Sequence, residues 1–205
     1  LNRGAAPVLC LANNHILDLP DEFGKTLITF QNKGVVFCGA GRSKEQASQP
    51  VIFLEDKKPI ILFNACWDFL LYNHRNPSKG VFVSEINESL LLKEVIKLRE
   101  KDKKVAIVLF FHWSFDLENL PFPMYRSFSK DLIDAGANVV VGAHSHCFQG
   151  GEKYQNGYII YGLGNFYMPN NTFAGGRLTF PDFARIQLAL EWNQSTGIAT
   201  CHWFM

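Results

Sequence analysis

Asn138-Val139-Val140-Val141-Gly142-Ala143-His144-Ser145-His146 is the stretch that decides how this chain folds. Its β-branched run has the composition of a buried strand, and Gly142 offers a sharp turn where the run ends. His144 and His146, two residues apart, then point into one crevice beyond the strand. Neutral imidazole is the commonest protein ligand for zinc, iron and manganese, so the pair reads as part of a metal site. Two histidines leave most coordination positions empty, and the remaining ligands must come from elsewhere in the chain.

The same arrangement occurs twice more. Residues 105–111 are seven consecutive apolar side chains, the pattern of a central strand covered on both faces, and they end in His112-Trp113-Ser114. Residues 8–12 are a shorter apolar run ending in Asn13-Asn14-His15. Loops from distant positions converge beyond the strand ends of α/β sheets, so the three strand-end placements read as one shared site.

Between these strands the chain alternates. Phe23, Leu27 and Phe30 predict a helix over 21–33 that closes at Gly34, followed by a strand over 35–38. Gly39-Ala40-Gly41-Arg42 reads as a plain turn in preference to a phosphate cradle. Residues 51–54 and 59–63 predict a hairpin. Residues 64–77 are aromatic and irregular, and His74 there reads as exposed rather than as a substrate contact. Leu91, Val95 and Leu98 predict a helix over 89–101, and Phe128, Leu132 and Ala135 predict one over 123–135 closing at Gly136. Strands follow at 158–161, 183–192 and 198–204, with His202 packed or at an edge in the last. No repeat or linker interrupts this order, and one α/β domain over 1–205 is expected.

Composition narrows the function. In 205 residues, 47% hydrophobic against 19% charged fits a globular chain with a sizeable core. Twenty Lys+Arg against 19 Asp+Glu leave a formal charge of +1, which argues against a nucleic-acid partner. No run has the length of a membrane span. The five cysteines lack any Cys-x-x-Cys pair and read as reduced core thiols, which favours a cytoplasmic location for this chain; Cys147 is the weaker alternative ligand beside His146. The chain opens on Leu1 and enters a core strand within a few residues, so an upstream piece is expected. An anchor there would place the protein at or beyond the membrane.

Taken in order, Leu11-Ala12-Asn13-Asn14-His15-Ile16-Leu17-Asp18, Gly39-Ala40-Gly41 with Ala47 and Pro50, His112-Trp113, residues 132–146 and Tyr161-Gly162-Leu163-Gly164-Asn165-Phe166 resemble the bacterial capsule synthesis protein CapA family. The resemblance covers roughly residues 8–168. It implies a part in poly-γ-glutamate capsule biosynthesis and a calcineurin-like metallophosphoesterase fold, an αββα sandwich of two mixed sheets, here lacking its N-terminal part. By the same resemblance Asn14 is a metal ligand through its side-chain oxygen, and His112, His144 and His146 are the histidine ligands. His15 is the residue that approaches the phosphate. Asp18 either orients His15 or caps the following helix. Asn13, Trp113 and Asn165 are candidates for substrate contact.

The implied cofactor is a divalent transition metal (Mn, Fe or Zn), as a dinuclear centre in a full-length protein. The implied substrate is a phosphorylated small molecule or envelope polymer precursor, with polymer-synthase proteins as partners. Residues 1–13 contain no Asp or Glu where the superfamily carries acidic ligands, so these 205 residues are expected to offer only neutral ligands and to hold at most one metal tightly. Two further departures are Ala143 where the family commonly has histidine, and Ser114 in place of a common glycine. The rival reading is a non-catalytic assembly factor that keeps the fold and binds polymer or partner proteins through aromatics in 67–72 and 115–125.

Overall fold

In the computed structural model, residues 7–55, 58–74, 80–166, 168, 171 and 174–204 are described, and contacts gather the chain into two compact units, Leu1–His112 and Trp113–Met205. Each unit has its own α/β core.

In the first unit, α1 (Pro20–Asn32) carries Phe23 and Leu27 one turn apart, packed in a cluster with Leu11, Ala40 and Val81. Burying each of those two side chains stabilises the unit by about 1.5–3 kcal/mol. The helix stops where Gly34 takes φ 65° and returns its N–H to the Gln31 carbonyl. On either side of it β1 (Val8–Cys10) and β2 (Val36–Cys38) pair in parallel, Val8 opposite Val36. Past Gly39 the chain forms β3 (Ala40–Gly41) and then α2 (Lys44–Ser48), whose first turn is capped by Ser43 Oγ accepting from Gln46 N–H.

Three strands of mixed direction complete this unit. β4 (Val51–Glu55) runs antiparallel to β5 (Lys58–Cys66), as the hairpin pattern predicts. β5 extends three residues beyond its expected end, so Asn64 lies in the strand, and a 3-10 helix (Asp68–His74) follows. The His74 side chain lies outside the described residues. β6 (Phe82–Val83) pairs with β3, and α3 (Glu88–Lys101), capped by Asn87, buries Val95. β7 (Ala106–Trp113) then runs parallel to β5, with Cys66 opposite His112. His112 and Trp113 therefore belong to the strand rather than to the loop after it.

In the second unit, α4 (Pro123–Asp134) ends at Gly136, φ 116°, and leads into β8 (Val139–His144). β8 pairs in parallel with β10 (Gly157–Ile160), which is antiparallel to β9 (Gly151–Tyr154). β11 (Gln187–Asn193) and β12 (Ile198–Phe204) form a separate hairpin, entered through a 3-10 turn at Asp182–Arg185 where a continuous strand was expected. His202 sits in that hairpin and bonds Glu191 Oε2 at 2.9 Å.

Gly142 does not turn the chain. It lies inside β8, and a Cβ there would fall 2.0 Å from the Tyr161 carbonyl oxygen and 2.2 Å from Trp113 Nε1. The missing side chain makes room for the buried Trp113 indole to donate to that carbonyl at 2.9 Å while stacking on Tyr125. The turn is made two residues later, where His144 and His146 take φ 102° and 58°. All five cysteines are free thiols, and no described helix is long and apolar enough to cross a membrane.

Candidate metal-binding site

The first unit gathers Asn14, His15 and His112. His112 Nε2 and Asn14 Oδ1, 98 residues apart in sequence, lie 2.8 Å from each other, so the two donor atoms expected to ligate already face one another. Their separation is set from below by Asn64, a buried amide that accepts from Ala12 N–H at 2.7 Å and donates to the Phe110 carbonyl at 2.9 Å. One side chain thereby ties the end of β1 to β7. Gly39 makes this possible, since a Cβ there would lie 2.0 Å from Asn64 Oδ1 and 2.6 Å from Ala12 N. Neither Asn64 nor this use of Gly39 was singled out in the sequence. The available signal was a lone amide at the end of an apolar strand, where buried polar groups need partners.

The loop above is held locally. Asn13 Nδ2 donates to Leu11 O and its Oδ1 accepts from His15 N–H, an Asx-type turn that engages the side chain expected to meet substrate. His15 projects into solvent with Nδ1 2.8 Å from Asp18 Oδ2. Of the two readings of Asp18, the helix cap gives way: Leu19 holds that position and makes no side-chain capping bond. Asp18 instead bonds the imidazole.

The second unit gathers His144, His146, Asp116 and Asn165. Asn165 Nδ2 faces the carbonyls of Ala184 (3.3 Å) and His146 (3.5 Å), which turns its Oδ1 toward His146 Nδ1 at 2.6 Å. With the amide so oriented, Nδ1 must carry the proton and the lone pair of a neutral His146 sits on Nε2, the tautomer a metal requires. Asn165 is buried behind His146 and acts on it, rather than standing where a substrate contact was expected. His144, its side chain only 5% exposed, and His146 both direct Nε2 toward one oxygen, Asp116 Oδ1, at 3.4 and 3.9 Å. Asp116 was not among the residues singled out in the sequence.

Other candidates are placed elsewhere. Trp113 is fully buried and packs, with no surface for a substrate. Burial, assisted by Glu118 and Asp116, raises the Cys147 thiol above its usual range. Gly41 lies in β3 rather than in the expected turn, and a Cβ there would fall 2.8 Å from Ala47 N and from Gln46 Cγ. Among the described residues, no group of three or more His, Cys, Asp or Glu already stands in position to hold a metal ion. The donor chemistry of each unit nevertheless suits a divalent zinc, iron or manganese ion: an imidazole nitrogen and an amide oxygen in the first, and two imidazole nitrogens, that of His146 with its tautomer set by Asn165, in the second.

The sequence model of the family described as bacterial capsule synthesis protein PGA_cap matches residues 1–170. The chain belongs to this family. It is 28% identical over 189 residues to the capsule biosynthesis protein CapA of Bacillus anthracis, covering 91% of this chain and 44% of the relative. It is also 28% identical over 192 residues to the PGA biosynthesis protein CapA of Bacillus subtilis (strain 168), covering 91% of this chain and 47% of the relative. The chain thus spans less than half the length of these two family members. Among solved structures, a putative 5'-nucleotidase from Staphylococcus aureus in complex with alpha-ketoglutarate is similar at TM-score 0.46 and 15% identity, covering 89% of this chain and 34% of that one. A likeness that slight decides nothing about fold or chemistry.

Proposed function

We propose that the chain carries a metal-dependent phosphoester-acting site that serves capsule or envelope polymer synthesis of the poly-γ-glutamate type. Family membership supports the setting. The observation that carries the chemistry is His146, whose Nε2 is left available by the bond from Nδ1 to Asn165. His144 and His146 would hold a divalent transition metal (Mn, Fe or Zn) through Nε2, and Asn14 Oδ1 and His112 Nε2 are the corresponding donors of the first unit. When bound, such an ion supplies Lewis-acid polarisation of a phosphoryl oxygen.

The chain's own residues supply the proton. Asp18 accepts a hydrogen bond from His15 Nδ1–H, which leaves Nε2 of an exposed ring to deliver a proton to a leaving oxygen. The substrate on this reading is a phosphorylated precursor of the polymer. The intact protein, assayed with manganese on p-nitrophenyl phosphate and bis-p-nitrophenyl phosphate, is expected to turn over one of them. His15→Ala should lower kcat by roughly 100-fold or more, the usual weight of a general acid. Metal-loaded, folded protein without turnover on either substrate would overturn this reading in favour of a non-catalytic binding factor.

A further inference from the structure

We infer that Cys10 and Cys38 are a reactive dithiol, which a low-molecular-weight disulfide converts into a Cys10–Cys38 disulfide. The inference is independent of the metal reading and rests on strand register. Cys10 stands directly opposite Cys38 where β1 and β2 pair in parallel. Neighbouring strands lie about 4.7–4.9 Å apart, inside the roughly 4.4–6.8 Å between Cα atoms that a disulfide spans. Partners in register also place their side chains on one face, so neither strand has to slide for the sulfurs to meet. The two faces of this pair of strands differ. Leu9 and Phe37 pack against the cluster that contains Phe23 and Leu27. By the period of two, Cys10 and Cys38 share the other face with Val8 and Val36. There Val36 is 38% exposed and Cys10 half-buried, while Cys38 is buried, so a reagent from solvent meets Cys10 first.

The chemistry of the five thiols singles out the same pair. The thiolate is the nucleophile in disulfide exchange. A hydrogen bond from Cys38 Sγ–H lowers the Cys10 thiol below its ordinary range, although burial opposes it. That bond, with burial and the Cys10 charge, raises Cys38. Burial pushes Cys66 up to about 12 and also raises Cys147. Cys201 is exposed, but its partner in the register is Leu190 and not a second cysteine. The exchange therefore runs in one order. Cys10 thiolate attacks one sulfur of the small disulfide and expels a thiolate, which takes a proton from water. Cys38 then loses its proton to solvent, attacks Cys10 Sγ and expels the second small thiol. Two protein thiols are oxidised and one small disulfide is reduced to two thiols. The new bond braces the frame beneath Asn14, where Leu11 N–H already bonds the Cys38 carbonyl at 2.9 Å and Asn64 accepts from Ala12 N–H.

The test is oxidised glutathione added to the intact, folded protein after reduction and removal of the reductant. Remaining thiols are alkylated in denaturant, and the digest is mapped by mass spectrometry. The expected product is a peptide linking Cys10 to Cys38, lost on treatment with dithiothreitol, which accounts for two of the five thiols. Cys66 and Cys147 should be recovered alkylated. Oxidation should also raise the urea midpoint of the first unit, because the bond closes a loop around α1. Cys38→Ser should stop the reaction at a glutathione adduct on Cys10, whereas Cys10→Ser should leave Cys38 alkylated. The wild-type map decides the matter even where a variant fails to fold. A wild-type protein that holds glutathione on Cys10 without the linked peptide would show that the register does not join the sulfurs. Recovery of both cysteines alkylated while Cys201 carries glutathione would overturn the reactivity of the pair, and so would a link that forms only in urea.

Discussion

The two histidine clusters are held in place by opposite means. Asn14 and His112 meet because a buried amide, Asn64, joins two backbone segments through a space that Gly39 leaves empty. His144 and His146 are aimed by backbone that leaves the usual regions, with positive φ at both histidines and in the facing loop, and by the side-chain clamps Asn165 and Gln149. The first arrangement depends on a volume and should fail as a unit when that volume is filled. The second depends on several separate restraints, each removable at a modest cost in stability. The first therefore couples site geometry to folding, and the second leaves the two separable.

Gly39→Ala is the strongest way to expose that coupling. The added methyl would meet Asn64 Oδ1 and the Ala12 backbone nitrogen, and φ 90° disfavours any side chain. Overpacking of about 1–3 kcal/mol and a left-handed penalty of about 1 kcal/mol together predict a loss on the order of 3 kcal/mol. Urea denaturation should show it as a lowered midpoint, read on a transition that reports the first unit. A loss under about 0.5 kcal/mol, the level of an ordinary surface substitution, would break the claim that this cluster depends on an empty volume.

Asn165→Ala probes the other side of the comparison. It removes the acceptor that places the His146 proton on Nδ1, and outer-shell losses of this kind typically cost 10- to 100-fold in metal affinity. The stability cost should be about 1–2 kcal/mol, from the lost bonds to Ala184 and His146. Cobalt titration beside thermal unfolding separates the two effects. An affinity that falls no more than the stability does would show that Asn165 only fills space.

How much of this was legible beforehand follows from the same physics. Periodic burial was plain: Phe23 and Leu27 on α1, Val95 on α3 and the apolar run of β7 all pack as their spacing predicts. β9 was missed because Gly151-Glu152-Lys153-Tyr154 shows no apolar alternation. Gly142 was misassigned because one residue type serves both to turn a chain and to admit a close neighbour, and only the positions of Trp113 and Tyr161 tell them apart. Among the site residues, Asn14 and His112 were expected together and stand together. Asp116 was hidden because its approach to His144 depends on positive φ at Ser114 and Leu117, which no propensity announces.

The smallest expected effect is the sharpest probe of how the second cluster carries its strain. Ser114 stands where the resemblance leads one to expect glycine, and its φ of 81° accounts for the family's preference. Restoring glycine should relieve about 1 kcal/mol of left-handed strain. It also deletes the Oγ that accepts from Gln149 Nε2 at 2.9 Å inside the buried loop, and one such bond is worth about 1 kcal/mol. Gln149 retains the carbonyls of Glu118 and Leu120, so its donor is not stranded. Ser114→Gly should therefore leave unfolding stability within about 0.5 kcal/mol of the parent, and cobalt affinity within a few-fold. A gain above about 1 kcal/mol would mean the hydroxyl contributes nothing and the strain is uncompensated. A comparable loss would mean that the Gln149 clamp, rather than the backbone, holds the loop facing the histidines.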